Sequence, residues 1–389
     1  EPVAYLHPSV EPALKETYGV LLYQEQVLKV AIAAAGFNPG EAEALRRALA
    51  RAKSPDDLRD MYTRFVAGAV ELGVAPEVAQ AIFRQIAGHA GYGFPKSHAA
   101  GFALISWQTL YLKHYHPVPF YCGLLNAQPM GFYPVEVVIN DAKRHGVVVL
   151  PPDIRHSAWG ALPERIGPER WGLRAGLRSV TGVGEQAAAR IEQARTAQPF
   201  ADLHDFCSRT RLPKRVVSAL IRAGALDGFG ARRTLLWRLG ELAYVEDGFM
   251  LTTTPQDAAL PPLSAQDAAG WEMELMGWAA QGNPMQYLRE ALRRQGALKT
   301  WQVKQAEAGR RVQVGGMVMI RQRPSTAKGI VFLSLEDESG LVDVAVKPEV
   351  YRRYRDIIRF SPAVLVTGVV QRSGRVASVL AHRFAPLQA

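Results

Sequence analysis

Near residue 311 the hydrophobic period of this chain changes from helical to strand-like, so no single regular architecture can hold both parts. Before that point apolar residues recur at helical spacing behind well-marked helix starts. Asn38-Pro39-Gly40-Glu41 sets a cap, a first-turn proline and an N3 glutamate ahead of a helix over 42–51. Ser54-Pro55-Asp56-Asp57 repeats the device ahead of 58–72, and Pro76 starts a helix through Ile86. Helical patterns over 97–115, on past Pro117 and Pro119 to Asn126, and over 134–145 follow, the last leading into a strand at 147–150. After 311 five strand candidates appear: Val312 to Val318, then 330–335, 342–346, 363–370 and 376–380. A helical segment over 348–358 separates the third from the fourth. Five short strands with a helix in that gap is the layout of an OB-fold barrel. The reading is a multi-domain, mainly α chain with a C-terminal five-stranded β-barrel.

A length of 389 residues implies two to four domains. Residues 1–153 read as one helical domain. A connector over 154–171, rich in Pro, Gly and charge, opens a second helical region, and the two together span 154–245. Residues 246–310 hold a linker, with Thr252-Thr253-Thr254-Pro255 and Pro261-Pro262 setting an extended path over 246–266, and an amphipathic helix over 283–295. The barrel takes 311–389. No apolar run reaches the roughly 18 residues that cross a bilayer. The start, Glu1-Pro2-Val3-Ala4, has no charged-then-apolar signal pattern. Two cysteines, Cys122 and Cys207, cannot build a disulfide framework or a four-thiolate metal site, and a reducing cytoplasm is the expected location. Lys plus Arg number 46 against 36 Asp plus Glu, a formal +10 that points to a polyanionic partner.

The sharpest local pattern is Leu177-x-x-Val180-x-Gly182-Val183-Gly184-x-x-x-Ala188-x-x-Ile191. It reads as a helix, a Gly-apolar-Gly hairpin and a second helix. The glycines let the backbone pass close to a phosphate, and the amides opening the next helix supply donors. A second copy spans Gly224-Ala225-Leu226-x-Gly228-Phe229-Gly230, with Arg232 and Arg233 just beyond. One copy alone could be an ordinary helix end, whereas two favour helix-hairpin-helix contacts to a DNA backbone, blind to sequence. In the barrel, Arg321, Arg323 and Lys328 lie between the first two strands and Phe332 on the second, a set suited to single-stranded nucleic acid or, for Phe332, to the core. In the first domain, Arg46 and Arg47 share a capped helix, and Lys96, Ser97 and His98 open the long one. These form either a cradle for a triphosphate or phosphodiester, or a solvated basic face with a capping Ser-His pair. His114-Tyr115-His116 has the wrong spacing for two metal ligands on one helical face. No Asp-x-Asp strand with a further carboxylate is found for two-metal phosphoryl transfer, and Glu336-Asp337-Glu338 reads as a solvated loop. No catalytic and no metal-binding residue is assigned.

Together these residues resemble the bacterial DNA polymerase III alpha subunit, family C. Tyr18-Gly19-Val20 with Tyr23-Gln24-Glu25-Gln26-Val27, Leu45-Arg46-Arg47-Ala48 and Gly91-Tyr92-Gly93-Phe94-x-Lys96-Ser97-His98-Ala99-Ala100 look like its fingers. Leu150-Pro151-Pro152-Asp153-Ile154, the hairpins and the barrel look like its following regions. Asn126-x-Gln128-Pro129-Met130-Gly131-Phe132-Tyr133, Asp141-Ala142-Lys143-Arg144-His145-Gly146-Val147 and Arg321-Gln322-Arg323-Pro324-x-Thr326-Ala327-Lys328-Gly329 resemble the error-prone, translesion branch. The resemblance implies that Arg46 and Arg47 meet the incoming dNTP, with Lys96, Ser97 and His98 in the same region. It implies that the hairpins grip primer-template DNA and that the barrel touches single-stranded template. It places the metal-binding aspartates and their Mg2+ in a palm outside this chain, so the chain alone is expected to be inactive and to need a palm-containing half. A sliding clamp or mutagenesis accessory proteins are further expected partners, although Gln256-Asp257-Ala258-Ala259-Leu260-Pro261 is a degenerate clamp peptide. The alternative is a stand-alone DNA-binding or scaffold subunit of a mutagenesis complex without polymerase activity.

Overall fold

A computed structural model describes residues 3–52, 55–89, 94–131, 133–245, 248–250 and 260–387. It divides into two compact units, 1–111 and 112–389.

The first unit is helical: α1 (Glu11–Leu14), α2 (Gln24–Ala35), α3 (Pro39–Arg51), α4 (Arg59–Glu71), α5 (Pro76–His89) and most of α6 (Lys96–Tyr115). Asn38 caps α3 as its sequence requires: its Oδ1 accepts from the Glu41 amide and its own amide donates to Glu41 Oε2, both at 3.0 Å. Ser54, the second expected cap, and Gly91 to Gly93 lie outside the described residues, and a 3-10 turn over Pro55–Leu58 leads into α4. Val27, Val30, Ala31 and Ala34 form the helical stripe of α2 and bury it against Leu45 of α3, Phe65 of α4 and Ile82 of α5. Gly68 lets α4 and α2 approach closely, since a Cβ there would collide with the Ala35 carbonyl oxygen. In α6, by contrast, no residue is buried, and Phe102, Leu104, Ile105, Trp107 and Leu110 are exposed.

The second unit begins with α7 (Pro117–Asn126) and α8 (Val135–Arg144). A small sheet follows, β1 (Val149–Leu150), β2 (Leu162–Arg165) and β3 (Trp171–Arg174), in the order β1-β3-β2. The stretch expected as an irregular connector thus carries a strand pair. Four-residue strands around a Gly-Pro turn are too short to show alternation. Four helices come next, α9 (Glu185–Ala197), α10 (Leu203–Thr210), α11 (Lys214–Arg222) and α12 (Arg232–Glu241), then a hairpin of β4 (Ala243–Val245) and β5 (Gly248–Met250). Of the linker expected over 246–266, residues 246, 247 and 251–259 lie outside the described residues, and with them most of Gln256 to Pro261. Beyond it are α13 (Ala265–Met276), α14 (Met285–Arg294) and α15 (Thr300–Gln305). Only α14 is legible as an amphipathic pattern; α13 is capped by Ser264, whose Oγ accepts from the Asp267 amide at 3.0 Å.

The barrel is closed, as expected from five strands with a helix between the third and fourth. It comprises β6 (Arg311–Gln322), β7 (Val331–Asp337), β8 (Gly340–Val346), the helices α16 (Pro348–Arg353) and α17 (Arg355–Phe360), β9 (Ala363–Ser373) and β10 (Val376–Pro386). Its strand order is β10-β8-β7-β6-β9, with β10 and β8 parallel and the other pairs antiparallel. Val314, Leu333, Leu335, Val344, Val366 and Val379 fill it. The three acids at the end of β7 are not a solvated loop. Glu336 and Asp337 are buried, because α8, α14 and α15 cover them. Glu336 accepts from Asn140 Nδ2 at 2.8 Å and pairs with Arg144. Asp337 accepts from Arg289 Nη2 at 2.9 Å and from the Thr300 amide and hydroxyl at 2.9 and 2.7 Å. Glu338 pairs with Arg289 at 2.7 Å and Lys299 at 3.3 Å.

Glu136 of α8 is 5% exposed, and burial together with the Glu336 carboxylate pushes its carboxyl up to about 7. The folded chain then holds a proton that the unfolded chain, with its carboxyl at 4.5, has released between these values. This contribution is fully present below pH 4.5 and lost as pH rises through 7. Glu136→Gln is expected to raise stability by about 2 kcal/mol at pH 8 and to change little at pH 4, as read by urea unfolding.

Candidate nucleic-acid interface

The first hairpin is held from beneath and open above. Leu177, Val180, Val183, Ala188 and Ile191 point into the core, which is why the apolar residues have that spacing. The Thr181 amide donates to the Leu275 carbonyl at 2.8 Å and that of Val183 to Val180 at 3.1 Å. Gly182 has φ +89° and Gly184 is the N-cap of α9, without a side-chain cap. Nothing lies within 4 Å of where a Cβ would stand at either glycine. A backbone with open amides at a helix start, and no side chain above it, can receive a phosphate. Val183 offers only its backbone there, its side chain being 6% exposed.

The second copy is built differently. Gly228 is roofed by the Arg155 guanidinium and Gly224 by that of Arg232. Gly230 has φ +136° with open space around it, and Phe229 packs partly into the core. Arg232 is turned inward: its guanidinium binds Asp227 at 2.8 and 2.9 Å, Glu272 at 2.8 Å and the Arg222 carbonyl at 3.1 Å. Arg233 is more exposed and donates to the Pro261 carbonyl at 3.1 Å. The two glycine motifs, alike in sequence, are therefore unlike in what they present.

On the barrel, Arg321 donates to the Ile358 and Ser361 carbonyls at 2.8 and 2.7 Å and so ties β6 to the end of α17. Arg323 stands over the Tyr351 ring at 5.4 Å. Lys328 is exposed in a left-handed turn with φ 48°. Phe332 is 37% exposed on β7, with Gln322 of β6 and Ala345 of β8 as its cross-strand partners.

In the first unit the end of α2 gathers the residues that the sequence places far apart. Arg46 and Arg47 both pair with Glu43, at 2.7 and 2.9 Å, and their hydrogen bonds hold that carboxyl down at about 2. Arg46 Nη1 also donates to Gln24 Oε1 at 3.4 Å. Lys96 pairs with Glu16, lies 5.8 Å from the Tyr23 ring centroid, and donates its amide to the Glu25 carboxylate at 3.2 Å. Ser97 is exposed, and His98 meets Phe102 edge-on at 4.6 Å. Sequence reasoning missed Glu16 and Glu43, acids that an anion would have to displace from these cations, and Glu25, which accepts from the Lys96 amide. Among the described residues no three His, Cys, Asp or Glu side chains come together to hold a metal ion. No helix of the described residues is long and apolar enough to cross a membrane.

Three family models match in the order of these elements. Residues 1–73 match the finger domain of the bacterial DNA polymerase III alpha subunit, 146–236 a helix-hairpin-helix motif and 312–387 an OB-fold nucleic acid binding domain. The chain as a whole is similar to proteins named error-prone DNA polymerase. It is 41% identical over its whole length to that of Anaeromyxobacter dehalogenans, of which it covers 35%. It is 38% identical over 98% of its length to that of Pseudomonas aeruginosa, covering 37%, and 40% identical over 98% to that of Burkholderia pseudomallei, covering 36%. The chain thus spans about a third of the length of these relatives.

Proposed function

We propose that this chain is the substrate-handling portion of an error-prone DNA-directed DNA polymerase. The first unit meets the incoming dNTP through Arg46, Arg47 and Lys96. The second holds primer-template DNA at the Gly182–Gly184 hairpin and single-stranded template along Arg323, Lys328 and Phe332 of the barrel. The open, uncapped hairpin at the start of α9 is the observation that supports this reading most directly. Arg232 and Arg321 serve it indirectly, since their guanidinium groups are spent inside the fold. Phosphoryl transfer needs Mg2+ held by carboxylates of another segment, and this chain alone does not extend primers.

Fluorescence anisotropy on labelled primer-template DNA tests the reading. Affinity should fall steeply with salt and depend little on sequence. Gly182→Ala with Gly184→Ala should weaken binding about tenfold at every sequence, a change on the scale of one or two charged hydrogen bonds. In an enzyme reconstituted with the rest of the polymerase, Arg46→Ala should raise the dNTP KM about tenfold with DNA affinity unchanged. Equal loss of both would remove Arg46 from the nucleotide site, and DNA binding that never supports synthesis would leave a stand-alone binding module.

A further inference from the structure

The helices α16 and α17, which fill the gap between β8 and β9, divide their faces by charge. Tyr351 and Tyr354 pack partly against the barrel core, and Ile358 is buried in it. This inward stripe recurs at i, i+3 and i+7, the spacing of one helical face. Arg352, Arg355 and Arg359 each follow an inward residue by one position, so they share the flank beside the stripe, and all are exposed. Asp356 stands four positions after Arg352 and three before Arg359, a spacing that allows ion pairs. Arg59 pairs with Asp56 at 2.6 Å and Arg293 with Glu290 at 3.0 Å across just such a spacing. Among the described residues, however, no ion pair joins Arg352, Arg355 or Arg359 to a carboxylate. Their charge therefore stays available to an outside anion. Phe360 ends the row with its ring 70% exposed and the Arg359 guanidinium 5.2 Å from its centre. The other end adjoins the β6–β7 loop: Arg323 stands over the Tyr351 ring, and a Cβ on Gly329 would lie 3.4 Å from the Pro348 side chain.

We propose that Arg352, Arg355 and Arg359 form a phosphate track on which a single strand of nucleic acid continues past the barrel sheet, with Phe360 stacking one base at its end. A row of cations beside an exposed aromatic ring is the combination that holds single strands without reading sequence. The inference takes its partner from the proposed function. It adds a surface built on the helices of the barrel rather than on its strands.

The test is anisotropy of the full chain on labelled single-stranded oligonucleotides across a salt series. Each phosphate contact to a single strand adds about 0.7 to the slope of log K against log salt. Combining Arg352→Gln, Arg355→Gln and Arg359→Gln should therefore flatten the slope by about two, and each single change by its own share. A control combining Arg59→Gln, Arg293→Gln and Arg294→Gln removes the same charge from arginines that already have acidic partners, and should leave the slope as it was. Phe360→Ala should weaken binding about tenfold with the slope kept. A track variant with the parent's slope and affinity overturns the inference while leaving binding at the other surfaces in place. Equal flattening by track and control variants overturns it too, because net charge then accounts for the loss. If the track variant loses binding to phosphatidylglycerol vesicles or to polyglutamate but keeps its slope on DNA, the row serves a different anion and the inference falls. A parent chain that binds no oligonucleotide at all sinks the proposed function, and this inference with it.

Discussion

Asp337→Ala is expected to lower stability by about 4 kcal/mol, on the order of 10 °C in melting temperature. The carboxylate has no exposed side-chain surface and answers donors from Arg289, Thr300 and Ser339 at once. Truncating it leaves Arg289 with only Glu338 and strands the Thr300 amide in the interior, and unmatched buried groups carry the full desolvation cost. Arg289 already has one guanidinium nitrogen without a partner among the described residues, so it has little left to rearrange towards. Asp337→Asn, which keeps the shape and some of the acceptors, should cost less than half as much. Thermal unfolding followed by circular dichroism checks both, and an alanine variant melting within about 2 °C of the parent would show that the barrel does not depend on this network.

Arg232→Ala is expected to cost about 3 kcal/mol, because it leaves Glu272, with a side chain only 4% exposed, facing the interior with the Ala280 amide as its remaining donor. The neighbouring Arg233→Ala should change stability by less than about 0.5 kcal/mol, as for other surface substitutions. If DNA affinity falls with Arg232→Ala, it should recover when the fold is rescued by Glu272→Gln in the same chain. A loss of affinity with stability intact would return Arg232 to a direct contact.

These two arginines show where the sequence stops being legible. They are adjacent and chemically identical, and what separates them is Glu272, forty positions further on and brought back by α13. The same holds for Glu336, Asp337 and Glu338: as a run of acids they resemble solvent-facing turn residues, and only the packing of α8, α14 and α15 makes them interior. Features whose cause is local were readable. The Asn38 cap, the alternation of the barrel strands and the Gly182-Val183-Gly184 turn each follow from neighbours a few positions away. The pair β2 and β3 escaped because four residues are too few to show a period, and α13 because its start was taken into a proline-rich linker. Around Lys96 the cation was visible and its acidic neighbours were not, since Glu16 and Glu25 reach it from about seventy to eighty positions away, whereas Glu43, three and four positions before Arg46 and Arg47, was within reach of a helical-spacing argument.

The links from Asn140 and Arg144 to Glu336, and from Arg289 to Asp337 and Glu338, bolt the barrel to α8 and α14. A tethered pair of binding modules must search for its second contact at a local concentration set by tether length. Here the search has been done in advance by folding. If one strand engages both hairpin and barrel, the second contact forms without further ordering of the chain, and release needs both to let go together. Such a chain would dissociate far more slowly from DNA long enough to span both surfaces than from a shorter piece that fills only one.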